Sequence, residues 1–328
     1  MTQLPAFKDI VAASKVLDGH AVRTPLIESQ ILNDLTGGRI FLKAECLQRT
    51  GSFKFRGAFN ALSNIPNESL EKGVLACSSG NHAQGVAESA RLKGCSATII
   101  MPADAPETKK NRTKRSGATV VEYDRYKEDR EAILQKMADE TGSVAVHPYE
   151  NFHVIAGQGT AGLEAAEELQ SLELSCDRAL VCAGGGGLTS GVALALRHHF
   201  PDVSVHTVEP EGYDDQRASL EAGKQVGQNT NQPSVCDAIL TPQPGDLAFA
   251  ICKDILAEGL VVTDSEALRA VAFAFNELKL VVEPGGAAAL AALLAGKVDV
   301  SNEIVVATLS GGNIDADILE LALNEHSQ

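Results

Sequence analysis

The chain has 328 residues, of which 44% are hydrophobic, and its 28 basic and 43 acidic residues give a net charge of −15 at pH 7. That length and apolar content suit two compact lobes, and the acidity argues against a nucleic-acid backbone or an anionic membrane as partner. Seven cysteines without a Cys-X-X-Cys pair argue against a disulfide framework or a zinc cluster, and with an N-terminus unlike a signal peptide they favour a cytoplasmic protein.

Short β-branched runs alternate with amphipathic segments along the chain. The predicted strands are 39–45, 73–79, 97–102, 119–124, 143–148, 178–184, 203–210 and 303–310. Residues 82–94 are one such amphipathic segment, and helical periodicity is clear at 129–140, 162–172 and 264–278. This rhythm predicts an α/β fold built from βα units around mostly parallel sheets. The stretch Gly223 to Gly245, rich in Gln, Asn and Pro, is predicted to be a long surface connection or a lid.

Ligands of such sheets bind at the carboxyl ends of the strands, in turns that lead into helices. Four unusual turns are SSGNHAQ at 78–84, GQGTAG at 157–162, AGGGGLTSG at 183–191 and SGGN at 310–313. The glycine run follows a predicted strand and opens a helix, so its backbone N–H groups would converge on one anion, most naturally a phosphate. A tight turn is the alternative. The run lacks the Lys-Ser/Thr ending of a P-loop.

The GQGTAG turn matches the dinucleotide pattern GxGxxG literally, through Gly157, Gly159 and Gly162. The preceding strand is poor, and the acid about twenty residues on, Asp177, precedes a strand instead of ending one. We therefore favour helix packing for these glycines. A nicotinamide-dependent dehydrogenase is the alternative function that this motif leaves open.

Lys54 lies between Phe53 and Phe55, where partial desolvation would lower the pKa of its amine and make the neutral nucleophile available. A surface charge at a helix start is the alternative. Beside a phosphate cup, however, an amine of this kind points to pyridoxal phosphate, an aldehyde held at its phosphate end by glycine amides and at its carbonyl carbon by a lysine.

A whole set of motifs occurs in one order: TGSFKFRGA, SSGNHAQ, VIAGQGT, GGGGL, EPGGAAALAAL and LSGGN. In this set the chain resembles fold type II pyridoxal-phosphate enzymes, the group of serine/threonine dehydratases, serine racemases and 3-hydroxyaspartate dehydratases. The resemblance implies a tryptophan synthase β-like fold with two open, twisted, mostly parallel sheets flanked by helices. It also implies a large cofactor-binding domain from 1–72 and 151–328, a small mobile domain at 73–150, and a homodimer.

The resemblance assigns roles around the cofactor. Lys54 would hold it covalently and, once freed, act as general base towards the substrate's α-proton. The neutral hydroxyl of Ser310 at the ring nitrogen of the cofactor would favour elimination over transamination. The other cofactor-binding residues that the resemblance implies are Phe53 against the ring, Asn81 at the phenolic oxygen, Gly184, Gly185, Gly186, Gly187 and Leu188 around the phosphate, Ser310 at the pyridine nitrogen, and Glu283 near the ring. A solvated helix-start carboxylate is the alternative for Glu283.

Substrate contacts are implied in the same way. The substrate carboxylate would be held by Ser78, Ser79, Gly80, Asn81 and His82. Ser79 also matches the serine that racemases of this group use as acid/base on the opposite face, although capping of a helix is an alternative for the serines. Arg130, helped by His147, could bind a second substrate carboxylate, with a helix-surface arginine as the competing interpretation.

The segment VEPEGYDDQ resembles the divalent-cation site of the group. Glu209 and Asp215 would supply carboxylates and Tyr213 a main-chain carbonyl, a ligand set suited to magnesium, manganese or calcium. An acidic solvated loop is the alternative. Two departures from the group stand out: Asp237-Ala238 replaces an Asp-Gly pair, and we expect no regulatory extension after Gln328.

The function predicted on this basis is dehydration and deamination of a β-hydroxy amino acid, serine, threonine or 3-hydroxyaspartate, to a keto acid and ammonia. One alternative is an amino-acid racemase with a dehydratase side activity, using Lys54 and Ser79. An alternative of another class is a non-catalytic regulatory protein that binds pyridoxal phosphate.

Overall fold

Two separate sheets organise the computed structural model, which describes residues 3–228 and 232–326. Ten strands are formed by the described residues: β1 (Leu26–Glu28), β2 (Arg39–Lys43), β3 (Val74–Cys77), β4 (Ala97–Pro102), β5 (Thr119–Tyr123), β6 (Val144–Ala145), β7 (Arg178–Cys182), β8 (Ser204–Pro210), β9 (Leu260–Val262) and β10 (Ile304–Thr308). All eight predicted strands are present. The very short β1 and β9 escaped prediction because three residues carry no readable alternation.

The larger sheet has six strands in the order β1-β2-β10-β7-β8-β9. Only β1 runs antiparallel to its neighbour, and the other four pairings are parallel. Because β10 lies between β2 and β7, the two ends of the chain are interleaved at the centre of this sheet. The central strands are buried, as expected for parallel strands covered by helices on both faces.

The smaller sheet has four parallel strands in the order β5-β4-β3-β6, and all of its residues lie between 74 and 145. The predicted α/β architecture with two mostly parallel sheets is confirmed. Ala83, Val86, Ala87 and Ala90 pack under this sheet and give it a core of its own.

Fourteen α-helices are formed by the described residues. They are α1 (Phe7–Leu17), α2 (Gln30–Thr36), α3 (Lys54–Ser63), α4 (Asn67–Leu70), α5 (Asn81–Lys93), α6 (Glu107–Arg115), α7 (Arg130–Thr141), α8 (Phe152–Ser171), α9 (Gly187–His199), α10 (Asp215–Ala222), α11 (Asp246–Cys252), α12 (Asp264–Phe273), α13 (Pro284–Leu294) and α14 (Ala316–His326). None of them is both long and apolar enough to cross a membrane.

The GQGTAG glycines lie in the middle of α8, not in a strand–helix turn. A Cβ at Gly157 would lie 2.7 Å from the Cα of Gly57, and one at Gly162 would lie 2.9 Å from the Cα of Val192. The glycines therefore let α3 and α9 approach α8 backbone to backbone. The prediction of helix packing is confirmed, and the dinucleotide interpretation is wrong because that fingerprint needs the glycines at a helix N-terminus.

The predicted connection at 223–245 holds one short 3₁₀ turn, Asp237–Ile239, among its described residues, and 229–231 lie outside them. The backbone of Ile239 approaches Gly184: a Cβ on that glycine would lie 3.2 Å from the Cα of Ile239. This part of the connection is therefore packed against the glycine run.

Candidate active site

A cavity of about 440 Å³ lies at the carboxyl ends of strands from both sheets. Fourteen of the fifteen residues predicted for cofactor or substrate line it: Phe53, Lys54, Ser78, Ser79, Gly80, Asn81, His82, Arg130, Gly184, Gly185, Gly186, Gly187, Leu188 and Glu283. Ser310 lies just behind that lining, with its side chain within hydrogen-bonding reach of Cys182 at the wall. Residues more than 200 positions apart in the chain thus share one cavity.

Lys54 is the first residue of α3 and projects into the cavity. Its Nζ donates to the carbonyl of Pro148 at 3.1 Å and lies 5.0 Å from the centre of the Phe53 ring. Burial lowers the pKa of the amine to about 8, although the nearby Glu283 carboxylate opposes that shift. At mildly alkaline pH a large fraction of the amine is therefore in its neutral, nucleophilic form.

Glu283 is a buried acid of the cavity, 5% exposed at the N-cap of α13. Its Oε1 accepts a hydrogen bond from Asn81 Nδ2 at 2.6 Å. Asn81 Oδ1 in turn accepts from Asn313 Nδ2 at 2.7 Å. Burial raises the pKa of Glu283 to about 7, while the hydrogen bond from Asn81 works against this. The two asparagines and Glu283 thus form one fixed chain along the cavity wall.

The two histidines of the cavity are held neutral. His82 donates from Nε2 to the carbonyl of Val146 at 2.8 Å, which leaves its buried Nδ1 as an acceptor without a partner. Burial, then the charge on Lys54, lowers the pKa of His82 to about 3, and the same two causes lower that of His147 to about 4. Since the ring of His82 has already used its one N–H, an anion beside it can receive only a main-chain N–H from this residue.

The glycine run shapes one end of the cavity as a cradle. A Cβ at Gly185 would lie 2.4 Å from ring atoms of Tyr149, and one at Gly186 would lie 2.4 Å from Gln216 Nε2. Gly186 also has φ = +86°, a conformation that favours glycine. It is the N-cap of α9, and no side chain caps that helix. The run therefore presents bare main-chain amides at a helix N-terminus, an arrangement that binds phosphate.

Arg130 also lines the cavity, at the start of α7. Its side chain is 56% exposed and lies 3.3 Å from Glu131. It interacts electrostatically with Cys77, Tyr123 and Tyr149, and it contributes to lowering the pKa of His147. The structure thus brings Arg130 and His147 to the same cavity wall, with the guanidinium still accessible.

The predicted cation ligands lie outside the cavity, on β8 and at the start of α10. Glu209 is fully buried and accepts main-chain N–H groups of Gln216 and Arg217 at 2.8 and 2.9 Å. Asp215 is equally buried, and neither of its carboxylate oxygens has a partner. Burial raises the pKa of Asp215 to about 7; burial, then Asp215, raises that of Glu209 well above its usual range. Within the described part of the chain, no cluster of three or more His, Cys, Asp or Glu side chains could hold a metal.

Three residues of the site were not assigned a role from the sequence. Tyr149 packs on the glycine run, Asn313 fixes Asn81, and Lys109 pairs with Asp237 at 2.5 Å on the cavity rim. Asn313 ends the quoted motif SGGN, so a signal was present. The positions of Tyr149 and Lys109 depend on contacts between elements that are distant in the sequence, and no local sequence pattern predicts such contacts.

Comparison with known proteins agrees with this geometry. The family described as "Pyridoxal-phosphate dependent enzyme" matches residues 17–311. The chain is 42% identical to an L-threo-3-hydroxyaspartate ammonia-lyase of a Pseudomonas species (96% of this chain, 97% of that protein) and 41% identical to the serine racemase of Schizosaccharomyces pombe (96% of each). The solved structure of maize serine racemase superposes with a TM-score of 0.91 at 33% identity, covering 99% of this chain and 98% of that one.

Proposed function

Since this chain belongs to the pyridoxal-phosphate-dependent enzymes, we propose that it removes the β-hydroxyl group of a β-hydroxy amino acid and releases a keto acid and ammonia. The predicted fold type II architecture is confirmed by the solved relatives. The observation that carries the proposal is Lys54, an amine with its pKa lowered to about 8 in the cavity that the glycine cradle closes. Serine, threonine and 3-hydroxyaspartate are the candidate substrates.

The residues of the cavity fit pyridoxal phosphate. The cradle from Gly184 to Gly187 excludes side chains and offers main-chain amides where a phosphate needs them. Lys54 supplies the amine that an aldehyde requires, and Phe53 gives an apolar wall beside it. When bound, the cofactor supplies an electron sink that makes the substrate's α-proton acidic enough to remove.

The chain's own residues then hold the substrate and move protons. Lys54, once its amine is free, accepts the α-proton, and its lowered pKa increases the unprotonated fraction of the amine near neutral pH while leaving it basic. The first turn of α5 presents its main-chain N–H groups to the substrate carboxylate. Asn81, fixed by Glu283 and Asn313, would orient the ring of the cofactor through its amide.

The first test measures keto-acid release from serine, threonine and the 3-hydroxyaspartate stereoisomers, side by side, with pyridoxal phosphate and magnesium present. We expect turnover with at least one of these substrates and a blank result for Lys54→Ala. Lys93→Ala, on the exposed end of α5, is the matched control and should leave the rates unchanged. Absence of keto acid from every substrate would contradict the elimination activity.

Arg130 supports a substrate with a second carboxylate. Its accessible guanidinium lies on the cavity wall beside His147, and a bidentate charge-assisted pair would be lost on removal of the side chain. We expect Arg130→Ala to reduce kcat/KM for 3-hydroxyaspartate about 10- to 100-fold more than for serine. Lys127→Ala, which removes an exposed cation three residues earlier, is the control. Equal losses on both substrates would remove Arg130 from the pocket for the second carboxylate.

Racemisation is a second candidate, because Ser79 lines the same cavity as Lys54 and a serine racemase is among the relatives. A serine on the other side of the substrate could return a proton with inverted configuration. Ser79→Ala should then abolish interconversion of L- and D-serine while elimination from L-serine persists. Chiral chromatography of the reaction mixture separates the two outcomes, and wild-type enzyme that forms no D-serine would exclude this function.

A divalent cation between Glu209 and Asp215 is also proposed. The unpartnered, buried carboxylate of Asp215 next to Glu209 is an arrangement that a hard cation would stabilise, with the Tyr213 carbonyl as a further ligand. Since both carboxylates lie outside the cavity, the ion acts on structure and not on the bonds that change. Magnesium, manganese and calcium all suit these oxygen ligands.

We also propose that the protein forms a homodimer and is located in the cytoplasm. Leu47 and Val281 are 48% and 45% exposed, and Gly312 lies between their chain segments: a Cβ on it would lie 2.5 Å from the Val281 carbonyl and 3.2 Å from the Cβ of Cys46, the residue before Leu47. An apolar pair at the surface suits a contact with a second copy. Light scattering should give twice the chain mass, and Val281→Glu should halve it while Leu35→Glu does not. The seven free cysteines suit a reducing compartment.

A further inference from the structure

One face of α6 reaches across the cavity rim to the larger sheet's side of the molecule. Lys109 and Arg112, three positions apart, share that face. Lys109 Nζ lies 2.5 Å from Asp237 Oδ2 and 3.8 Å from Asp315 Oδ2, and Arg112 Nη1 donates to Asn313 Oδ1 at 3.4 Å. The Lys109 side chain is only 14% exposed, whereas that of Asp237 is 55% exposed, so the ion pair is sheltered from solvent on its lysine side only.

Lys109 and Arg112 make contacts with residues that line the cavity. Lys109, Asp237 and Asn313 all line it. Asp237 opens the turn whose Ile239 backbone packs on Gly184 of the cradle. Asn313 donates to Asn81, which is bound to Glu283. A change in the distance between α6 and the opposite wall therefore displaces both the cradle turn and the asparagine chain.

The sequence of α6 provides no apolar face that could pack this helix against the rest of the molecule. Its nine residues, ETKKNRTKR, contain no apolar side chain, and only Lys110 and Thr113 are buried. Lys110 is tied within its own lobe to the Ala103 carbonyl and to Glu122. Across the rim, the described polar contacts of α6 are those of Lys109 and Arg112.

We infer that Lys109 is a positioning residue, whose ion pair with Asp237 latches α6 over the cavity and sets how closely the 73–150 segment approaches the cofactor-binding wall. The latch acts through Asp237 and, with Arg112, through Asn313. It contacts the rim and not the reacting atoms, so its loss weakens substrate capture more than the chemical step. This inference concerns closure and holds whichever amino acid is the substrate.

The test uses full-length protein loaded with pyridoxal phosphate. Hydrogen–deuterium exchange of the α6 and α5 amides should accelerate about fivefold in Lys109→Ala, the factor that a partly buried ion pair of ~1 kcal/mol supplies. KM for the best substrate should rise by a similar factor, with kcat changed less than twofold. Lys109→Arg should keep both values close to wild type. Lys114→Ala, which removes an exposed cation from the same helix, is the matched control.

The double variant Lys109→Ala/Asp237→Asn decides whether the two residues act as a pair. If they do, its exchange and KM should be no worse than those of the worse single variant, because one interaction can be lost only once. Additive effects, or a Lys109→Ala protein that exchanges like Lys114→Ala, would overturn the latch. Exchange is read without turnover, so a failure of the proposed elimination activity would leave this result interpretable.

Discussion

Two groups of buried charges lie on opposite sides of the same helix. Arg56 is fully buried and forms paired hydrogen bonds with Glu45 and Glu164, while Lys43 binds Glu164 at 2.6 Å. Two positions earlier, Lys54 faces the cavity, where its Nζ donates to one main-chain carbonyl. Two positions on a helix are about 200° apart, so the motif SFKFRG sends one cation into each environment.

The main difference between the two groups lies in their partners. In the Arg56 cluster, two cations meet two carboxylates; burial opposes the charges, yet Arg56 lowers the pKa of Glu45, and the two glutamates raise that of Arg56. In the cavity, burial acts on groups with few partners, and Lys54, His82 and Glu283 are pushed towards their neutral forms. Buried groups that meet opposite charges stabilise the fold, whereas buried groups without such partners shift towards their neutral, reactive forms.

Replacing Lys54 should cause the largest loss of activity and only a small change in stability. We expect Lys54→Ala to lower the rate of keto-acid release by about 10⁴-fold or more, because both the amine that holds the cofactor and the base are lost. The cofactor's visible absorbance band should shift as well. The midpoint of urea unfolding should stay close to that of wild type. A variant that retains turnover would show that another group is the base.

Breaking the matched cluster should have the reverse effect. Arg56→Met leaves Glu45 buried without its partner, and we expect the free energy of unfolding to fall by about 3–5 kcal/mol. Arg23→Met is the matched control, since Arg23 pairs with Glu167 at an exposed site and its loss should cost about 1 kcal/mol or less. Urea denaturation measures both, and similar losses would mean that burial does not distinguish the pairs.

The pKa of Glu283 predicts a pH dependence of stability in the apoprotein. Its raised pKa, about 7 against an ordinary 4.5, means that between these values the folded state binds more protons than the unfolded state. Glu283 therefore stabilises the fold below pH 4.5, and that contribution is lost as the pH rises to 7, by up to about 3 kcal/mol. Glu283→Gln should lack this loss when unfolding is compared at pH 4.5 and 7. If the free energy of unfolding changes by the same amount between pH 4.5 and 7 in both proteins, the pKa of Glu283 lies near 4.5.

A cation should convert the unmatched pair on β8 and α10 into a matched one. Magnesium at about 100 times its dissociation constant should stabilise the apoprotein at pH 7 by about 3 kcal/mol, seen as a rise in Tm. Asp215→Asn should abolish the rise, and Asp202→Asn, at an exposed site, should preserve it. A rise that survives Asp215→Asn would place the ion elsewhere.

Much of the fold and of the site was predictable from the sequence, for identifiable reasons. Eight strands carried β-branched runs, and the glycine cradle, Lys54 and Asn81 lay in contiguous motifs at strand ends. The partners of those residues were not predictable in the same way. Arg56 gave no local sign that it would meet Glu164, and Lys109 none that it would meet Asp237, because both pairs form between elements more than 100 residues apart.

The interleaving of β2, β10 and β7 has a consequence for the order in which the molecule can be made. Strand β2 ends at residue 43, but its parallel neighbour β10 starts at residue 304, so the centre of the larger sheet must wait until nearly all of the chain has left the ribosome. The four strands of the smaller sheet, complete by residue 145, need not wait. We therefore expect the nascent chain to carry a finished small lobe and a β2 that is paired with β1 but exposed along the edge that β10 later covers, which makes the early N-terminal segment the part most dependent on chaperones.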